Sequence, residues 1–136
     1  MQLEVAMRSA LSLAKKGLGS CYPNPSVGCL ILDRYNNLIG LGNTSVKGRP
    51  HAEEAALKSL TGSPKGGTAI ITLEPCAHKS NNLCCAQLII NSGIKHVVIP
   101  MLDPDKRTNG KGVELLKKSG IKVSIGSHKN EAFDIN

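Results

Sequence analysis

The 136-residue sequence contains almost no aromatic residues: it has no tryptophan, two tyrosines and one phenylalanine. Proteins that bind single-stranded nucleic acid usually stack the bases on aromatic side chains, so this scarcity argues against such a function. The sequence also lacks any run of about 18 apolar residues, the length that crosses a membrane as a helix. These absences indicate a globular domain with no membrane partner, and the length is sufficient for one core.

The number of cysteines and the excess of positive charge both bear on the function of the protein. Five cysteines cannot all pair within one chain, and two of them lie near Pro75 and a histidine, which favours metal binding in a reducing compartment. We therefore expect a cytoplasmic protein. The formal net charge of +7 is compatible with a polyanionic partner, either nucleic acid or a phosphorylated small molecule. The lysines are scattered in single positions and pairs, which does not favour nucleic acid.

The order of the periodic segments predicts an α/β domain. Apolar residues at helical or strand spacing predict helices over residues 3–16, 51–60, 84–91 and 112–119. The predicted strands cover residues 27–32, 38–43, 68–73, 95–101 and 121–125. The first two strands form a hairpin and the later strands alternate with helices, so the sheet should be mixed and parallel in its second half. We expect the domain to cover residues 1–126, and residues 127–136 to form a mobile or partner-dependent C-terminal tail.

Two short stretches carry the predicted chemistry. His51-Ala52-Glu53 opens the second helix, and Glu74-Pro75-Cys76 ends the third strand, with Cys84-Cys85 a few residues later. Zinc binds neutral imidazole and thiolate, and a catalytic zinc site uses three protein ligands and leaves the fourth position to water. His51, Cys76 and one of the two adjacent cysteines provide that number. An H-x-E followed by P-C and a further cysteine is typical of zinc-dependent nucleobase deaminases.

Glu53 is the acidic residue placed to transfer protons. Zinc lowers the pKa of bound water toward 7, and hydrolytic deamination then needs a carboxylate that accepts and delivers protons. Glu53 follows His51 by two positions, whereas Glu54 points elsewhere on the helix and Glu74 is expected to be a structural hydrogen-bond acceptor. Because a helix N-terminus favours an ionised carboxylate, burial or the metal's surroundings must keep Glu53 able to exchange its proton.

The other histidines and cysteines have less specific interpretations. We expect Cys21 and Cys29 to be non-ligand thiols, and His96 and His128 to be surface or strand-edge residues. His78 is either a substrate contact or an exposed loop residue. A structural zinc site with four protein ligands is disfavoured because the motif leaves one position unfilled.

The sequence resembles the deaminase domain of the riboflavin-pathway pyrimidine deaminases, a branch of the cytidine deaminase-like superfamily. The matching segments are residues 23–28, 51–53, 72–78, 88–94 and 101–104. The resemblance implies a three-layer α/β/α fold with a five-stranded mixed sheet, and a homo-oligomer, either a dimer or a tetramer. It also implies Cys85 as the third zinc ligand, because the family's second cysteine lies nine positions after the first. Asn24 matches the substrate-orienting asparagine, and His78 matches the histidine that contacts the substrate.

The activity implied by the resemblance is hydrolytic removal of an amino group from a diaminopyrimidinone that carries a phosphoribosylamino arm. The partner would then be a small phosphorylated pyrimidine, with Lys79 assigned to substrate binding and Lys106 and Arg107 as further candidates for phosphate contacts. Many family members carry a reductase domain after the deaminase, and residues 131–136 fall where that domain would begin.

Three segments around the substrate depart from the family pattern. Residues 80–84 replace a Gly-basic-Thr-Pro-Pro loop, Thr44 replaces a histidine, and Asp105-Lys106 replaces Asn-Pro. One alternative is therefore the same zinc chemistry on another nucleoside, nucleotide or base. A second alternative is an inactive homologue that acts as a binding subunit, and the presence of Glu53 argues against it.

Overall fold

The computed structural model describes residues 1–21, 24–46, 48–78, 83–126 and 128–135. Within these ranges, the helices are α1 (Leu3–Lys16), α2 (Ala52–Lys58), α3 (Cys85–Ser92), α4 (Lys111–Lys118) and α5 (Lys129–Ile135). The strands are β1 (Gly28–Leu32), β2 (Leu38–Asn43), β3 (Thr68–Ile71), β4 (His96–Ile99) and β5 (Lys122–Ile125). Every predicted helix and strand is present, with ends that differ by one or two residues. None of the described helices is long and apolar enough to span a membrane.

The strands form one mixed sheet in the order β2-β1-β3-β4-β5. β1 pairs antiparallel with both β2 and β3, whereas the β3–β4 and β4–β5 pairs are parallel. Parallel neighbours need a crossover connection, and α3 and α4 provide it. The predicted mixed sheet with a parallel second half is therefore confirmed.

Helices cover both faces of the sheet. On one face, α1 and α5 pack on the side chains of Leu30 and Ile70. On the other face, α2, α3 and α4 pack on Ile31 and Ile71. All five residues of β1 are buried, as expected for a strand covered on both faces. The result is the predicted three-layer α/β/α arrangement.

Two glycines in β2 allow α2 to lie unusually close to the sheet. A Cβ atom on Gly42 would lie 2.7 Å from the backbone nitrogen of Ala56 and 2.8 Å from the carbonyl oxygen of Ala52. A Cβ on Gly40 would lie 2.8 Å from the carbonyl oxygen of Ala56. The helix backbone thus occupies the space that side chains would fill, and this contact holds the start of α2, where the H-x-E motif lies.

The helix α5 was not predicted. The sequence predicted a mobile or partner-dependent tail, but Lys129–Ile135 forms a helix whose Ala132 and Ile135 are both buried against α1. Two buried apolar side chains give this segment too weak a helical period to recognise, and such a short helix depends on tertiary packing. The described part of this segment is therefore packed against the domain. The proposed domain boundary at residue 126 stays a prediction.

Candidate metal centre

Three of the predicted site residues converge on one point. The ligand atoms of His51, Cys76 and Cys85 all lie within 4.8 Å of one another. The Sγ of Cys85 lies 3.4 Å from Nδ1 of His51, and the backbone N–H of Cys85 donates a hydrogen bond of 3.2 Å to the Sγ of Cys76. One imidazole nitrogen and two sulfurs are donors that zinc prefers. The cluster therefore fits a zinc ion with three protein ligands.

The starts of two helices position this cluster. His51 is the N-cap residue of α2, with an extended backbone (φ −67°, ψ 162°), and so lies just before the helical turn in which it was predicted. Cys85 is the first residue of α3. Cys76 follows β3 and meets the start of α3, where its carbonyl accepts a hydrogen bond of 3.1 Å from the N–H of Ala86. The N–H groups at a helix N-terminus stabilise a thiolate.

The structure separates the two adjacent cysteines that the residues alone left as alternatives. Cys85 belongs to the cluster with His51 and Cys76. Cys84 is the N-cap residue of α3, is 3 % exposed, and packs in the apolar core under α3. Consecutive residues at a helix start point in different directions, so Cys85 is brought to the other two residues and Cys84 lies in the core.

The two thiols of the cluster differ in acidity. Hydrogen bonds from the side chains of Cys85 and then His51 lower the pKa of Cys76 to about 4. The pKa of Cys85 is raised by its hydrogen bond to Cys76 and by burial. The hydrogen bond of His51 to Cys76 likewise raises the pKa of His51. The hydrogen bonds of the cluster thus favour the thiolate form of Cys76, with protons on Cys85 and His51. Binding of a divalent cation to all three residues would displace those protons, so its affinity should fall at low pH.

Glu53 lies beside the cluster and is only 5 % exposed. Burial raises its pKa to about 7, and the negative charge of Cys76 contributes in the same direction. A carboxyl group with such a pKa can both accept and release a proton near neutral pH. Glu54, as predicted, points elsewhere: its carboxylate lies 3.4 Å from the Nζ of Lys58 on the outside of α2.

Glu74 is a structural acceptor, as predicted, and it is 3 % exposed. Its Oε1 accepts hydrogen bonds from the backbone N–H groups of Asp103 (3.1 Å) and Gly110 (2.9 Å). Its Oε2 accepts one from the N–H of Val113 in α4 (2.9 Å). One carboxylate therefore attaches the loop over residues 103–110, which we call the 103–110 loop, to the end of β3.

The residues predicted to bind substrate lie in separate loops. Asn24 is exposed, and its side chain packs against the backbone of Gly48, where an added Cβ would lie 1.9 Å from Nδ2 of Asn24. His78 is half-buried, with its Nδ1 3.3 Å from the Oγ1 of Thr108. Lys79 lies outside the described residues, as do residues 80–82 of the site loop.

Thr44, which replaces a histidine of the family pattern, has a structural role. It is 4 % exposed, its Oγ1 accepts a hydrogen bond of 2.9 Å from the N–H of Val27, and it donates one of 3.3 Å to the carbonyl of Pro25. The hydroxyl therefore holds the turn that follows Asn24. Where the family pattern has an imidazole ring, this chain has a small hydroxyl group whose hydrogen bonds are made within the protein.

Thr108 could not be recognised from the sequence, because a threonine in a polar loop carries no motif. Its contact with His78 joins residues thirty positions apart, and only the fold brings them together. The expected non-ligand thiols are both buried: Cys21 donates to the carbonyl of Gly17, and burial, followed by the charge of Glu53, raises the pKa of Cys29. His96 is half-buried at the start of β4, with its Nε2 2.9 Å from the Oγ of Ser124, so it lies at the end of an internal strand rather than on an edge strand.

Comparison with known proteins agrees with this geometry. The family model for the cytidine and deoxycytidylate deaminase zinc-binding region matches residues 1–101. The chain belongs to the cytidine and deoxycytidylate deaminase family. The matched region includes His51, Glu53, Cys76 and Cys85, and the family description supports zinc as the ion that these ligand atoms accommodate.

Curated members of this deaminase family are similar over nearly the whole chain. The riboflavin biosynthesis protein RibD of Aquifex aeolicus is 45 % identical over 130 residues, which are 96 % of this chain and 36 % of the relative. RibD of Escherichia coli is 40 % identical over 136 residues, 100 % of this chain and 37 % of the relative. The chain thus spans about a third of their length. A diaminohydroxyphosphoribosylamino-pyrimidine deaminase of Buchnera aphidicola subsp. Schizaphis graminum is 43 % identical over 130 residues, which are 96 % of this chain and 88 % of the relative.

Solved structures confirm the cytidine deaminase-like fold. A diaminohydroxyphosphoribosylaminopyrimidine deaminase/5-amino-6-(5-phosphoribosylamino)uracil reductase of Thermotoga maritima superposes with a TM-score of 0.91 at 40 % identity, over 98 % of this chain and 38 % of that protein. RibD of Acinetobacter baumannii has a TM-score of 0.90 at 42 % identity, with the same coverage. The dCMP deaminase of cyanophage S-TIM5, at 21 % identity and a TM-score of 0.69, shares the fold.

Proposed function

We propose that this chain is a zinc-dependent hydrolase that removes an amino group from a phosphoribosylated diaminopyrimidinone in riboflavin biosynthesis. The observation that carries the proposal is the cluster of His51, Cys76 and Cys85 beside the buried carboxyl group of Glu53. The substrate class is supported by 43 % identity to the Buchnera deaminase over 96 % of this chain.

In this mechanism each site residue has one task. His51, Cys76 and Cys85 would hold the ion, which when bound would supply a Lewis acid that lowers the pKa of water toward 7. The carboxylate of Glu53 would transfer the two protons of the attacking water one after the other, the first to the ring nitrogen and the second to the departing amine. A bond from oxygen to the ring carbon forms, the carbon–nitrogen bond breaks, and the products are a ring carbonyl and ammonia. A pKa of about 7 suits Glu53 to both transfers.

The substrate is held by residues around this centre. Asn24 orients the pyrimidinone ring, His78 contacts it, and Lys79 contacts the phosphate. The assignment of Asn24 is supported by its exposure, and that of His78 by its half-buried position two residues after Cys76. Lys79 lies outside the described residues, so its assignment depends on the resemblance alone.

The experiment that tests this function measures ammonia release from the phosphoribosylated diaminopyrimidinone by the purified zinc-loaded chain. A panel of cytidine, dCMP, adenosine and free aminopyrimidines provides the comparison. We expect the highest kcat/KM on the phosphoribosylated compound. A protein that holds one zinc ion but leaves this compound untouched would contradict the substrate, and activity elsewhere in the panel would support the alternative of another base.

We further propose that the chain acts as a dimer or tetramer in the cytoplasm. The described cysteines are all free thiols, which suits a reducing compartment. A depression between α2 and α3 is lined by Leu57, Leu83 and Leu88 together with the Glu54–Lys58 ion pair, and Leu83 is 45 % exposed, as expected for a surface with an apolar centre and a charged rim that another subunit covers. Light scattering on the eluted protein would report the mass, and a monomer at micromolar concentration would contradict the assembly.

A further inference from the structure

The 103–110 loop is firmly attached to the sheet. Glu74 accepts hydrogen bonds from the N–H groups of Asp103 and Gly110 in this loop. Within the loop, the carbonyl of Asp105 accepts bonds from the N–H groups of Thr108 (2.9 Å) and Asn109 (2.8 Å). The backbone of Thr108 is therefore positioned from both ends of the loop, with the carboxylate at the end of β3 as the anchor.

Thr108 is the most deeply buried polar residue of this loop, with 0 % exposure. A buried hydroxyl group needs a hydrogen-bond partner, and here the partner is the imidazole of His78, at 3.3 Å from Oγ1 to Nδ1. Among the described residues, Nε2 of His78 has no hydrogen-bond partner. His78 is half-buried, so this second nitrogen is the one left for a ligand.

A hydrogen bond at one imidazole nitrogen determines what the other can do. It fixes the plane of the ring, and it selects which nitrogen carries the hydrogen in the neutral form. A residue that holds Nδ1 therefore decides whether Nε2 presents a donor or an acceptor to a ligand. The same principle applies to histidines oriented by outer hydrogen bonds in metal sites.

We propose that Thr108 is a positioning residue for substrate binding, which holds the imidazole of His78 so that Nε2 meets the substrate in one orientation and one tautomer. This inference rests on the proposed function of His78 as a substrate contact. Under this proposal the 103–110 loop, which Glu74 anchors, controls substrate binding. It does so through Thr108 and His78 and not through the zinc ligands. The loop also contains Asp105-Lys106, where the sequence departs from the family pattern, so such departures can act on the substrate through His78.

The test compares a substitution that removes the hydroxyl at nearly constant volume with one that keeps the hydroxyl and removes a methyl group. Thr108→Val replaces the hydroxyl by a methyl group, and Thr108→Ser keeps the hydroxyl. We expect Thr108→Val to raise KM for the phosphoribosylated diaminopyrimidinone about fivefold to tenfold, the effect of one hydrogen bond, with zinc content and melting temperature close to those of the parent. Thr108→Ser should stay within about twofold of the parent, and equal losses in both variants would overturn the proposal.

A double-mutant cycle separates positioning from a merely structural role. In the His78→Ala background, Thr108→Val should cause no further change in KM, because the group that it orients is absent. If the two effects instead add fully, Thr108 acts independently of His78 and the inference is wrong.

A spectroscopic measurement keeps this inference separate from the proposed function. Long-range ¹⁵N–¹H spectra of the His78 ring, recorded on the zinc-loaded protein, report the tautomer directly. We expect one tautomer in the parent and in Thr108→Ser, and a mixture in Thr108→Val. Identical spectra in all three proteins would refute the positioning role. If the spectra change as expected but the protein is inactive on this compound, the positioning of His78 by Thr108 is upheld and only the proposed substrate is refuted.

Discussion

At the scale of single residues, position on an element determines what each glutamate does. Glu53 and Glu54 are neighbours, yet burial raises the pKa of Glu53 to about 7 while Glu54 pairs with Lys58. Glu74 is as buried as Glu53, but its two oxygens accept three backbone hydrogen bonds. The same type of side chain therefore forms a buried carboxyl group with a raised pKa, an ion pair on the outside of a helix and a structural anchor within one small domain.

The first prediction concerns Glu53. Glu53→Gln should lower kcat by about 10²-fold to 10⁴-fold, because the amide cannot accept the proton of water. Zinc should remain bound, since the carboxyl group is not among the three clustered ligand atoms. Steady-state ammonia release and metal analysis measure the two effects. Glu54→Gln is the matched control and should keep both values, and a Glu53→Gln enzyme with the parental kcat would exclude proton transfer by this residue.

The second prediction concerns the adjacent cysteines. Cys85→Ser should lose zinc, because it removes one of three converging ligand atoms. Cys84→Ser should keep zinc but lose about 1–3 kcal/mol of stability, because it places a hydroxyl group in the apolar core. Metal analysis after dialysis and urea unfolding measure these outcomes. Loss of zinc in Cys84→Ser with retention in Cys85→Ser would reverse the assignment.

At the scale of elements, close contact between α2 and β2 connects the fold to the site. The glycine pair Gly40 and Gly42 leaves space in β2 that the backbone of α2 occupies. Because α2 starts immediately after His51, the packing of α2 on β2 determines the position of His51 in the metal cluster.

The third prediction tests that contact. Gly42→Ala should destabilise the protein by about 1–3 kcal/mol, since the added Cβ meets backbone atoms of Ala52 and Ala56 below 3 Å. It should also weaken zinc binding, because α2 must move. Gly62→Ala is the control, as its Cβ would lie 3.4 Å from a side-chain atom of Ile39, an ordinary contact. Urea unfolding and zinc competition measure both; equal stability of the two variants would contradict the prediction.

The fourth prediction concerns the hairpin turn between β1 and β2. The backbone N–H groups of Asn37 and then Tyr35 hold the pKa of Asp33 below its usual value. A carboxyl group with a lowered folded-state pKa stabilises the protein above its unfolded pKa of about 3.9, and this contribution disappears as pH falls through the folded value. The melting-temperature difference between the parent and Asp33→Ala should therefore be present at neutral pH and shrink below about pH 4. A difference independent of pH would contradict this.

At the scale of the whole molecule, the mixed sheet assembles the site from distant parts of the chain. The antiparallel β1–β2 hairpin carries α2 and therefore His51, whereas the parallel half brings Cys76 at the end of β3 to the start of α3. The metal cluster thus joins both halves of the sheet.

The fifth prediction follows from that junction. Zinc links the start of α2 to the start of α3, so its free energy of binding adds to the free energy of unfolding. Removal of the ion by a strong chelator should lower the melting temperature by at least about 5 °C, and added zinc should restore it. Differential scanning calorimetry measures the shift, with Cys85→Ser as the control that should not respond. An unchanged melting temperature of the parent would show that the cluster does not hold an ion.

Much of this architecture could be predicted because it depends on local pattern. Helical and strand periods located nine of the ten described elements, and the H-x-E and P-C motifs identified the residues that converge. The helix α5 was missed because seven residues with two buried apolar side chains, Ala132 and Ile135, carry too weak a period. The choice between Cys84 and Cys85 needed the family's spacing, since a motif does not state which way neighbouring side chains point.

The sequence by itself identified the candidate metal ligands and the candidate proton-transfer residue, because zinc's preference for imidazole and thiolate, and a carboxylate two residues after the histidine, are properties of residue type and spacing. Only the tertiary structure decided that the three ligand atoms converge, that Glu74 anchors the 103–110 loop, and that Thr108 meets His78. These contacts join residues about thirty positions apart. Their formation depends on how helices and loops pack on the sheet, which no local pattern encodes.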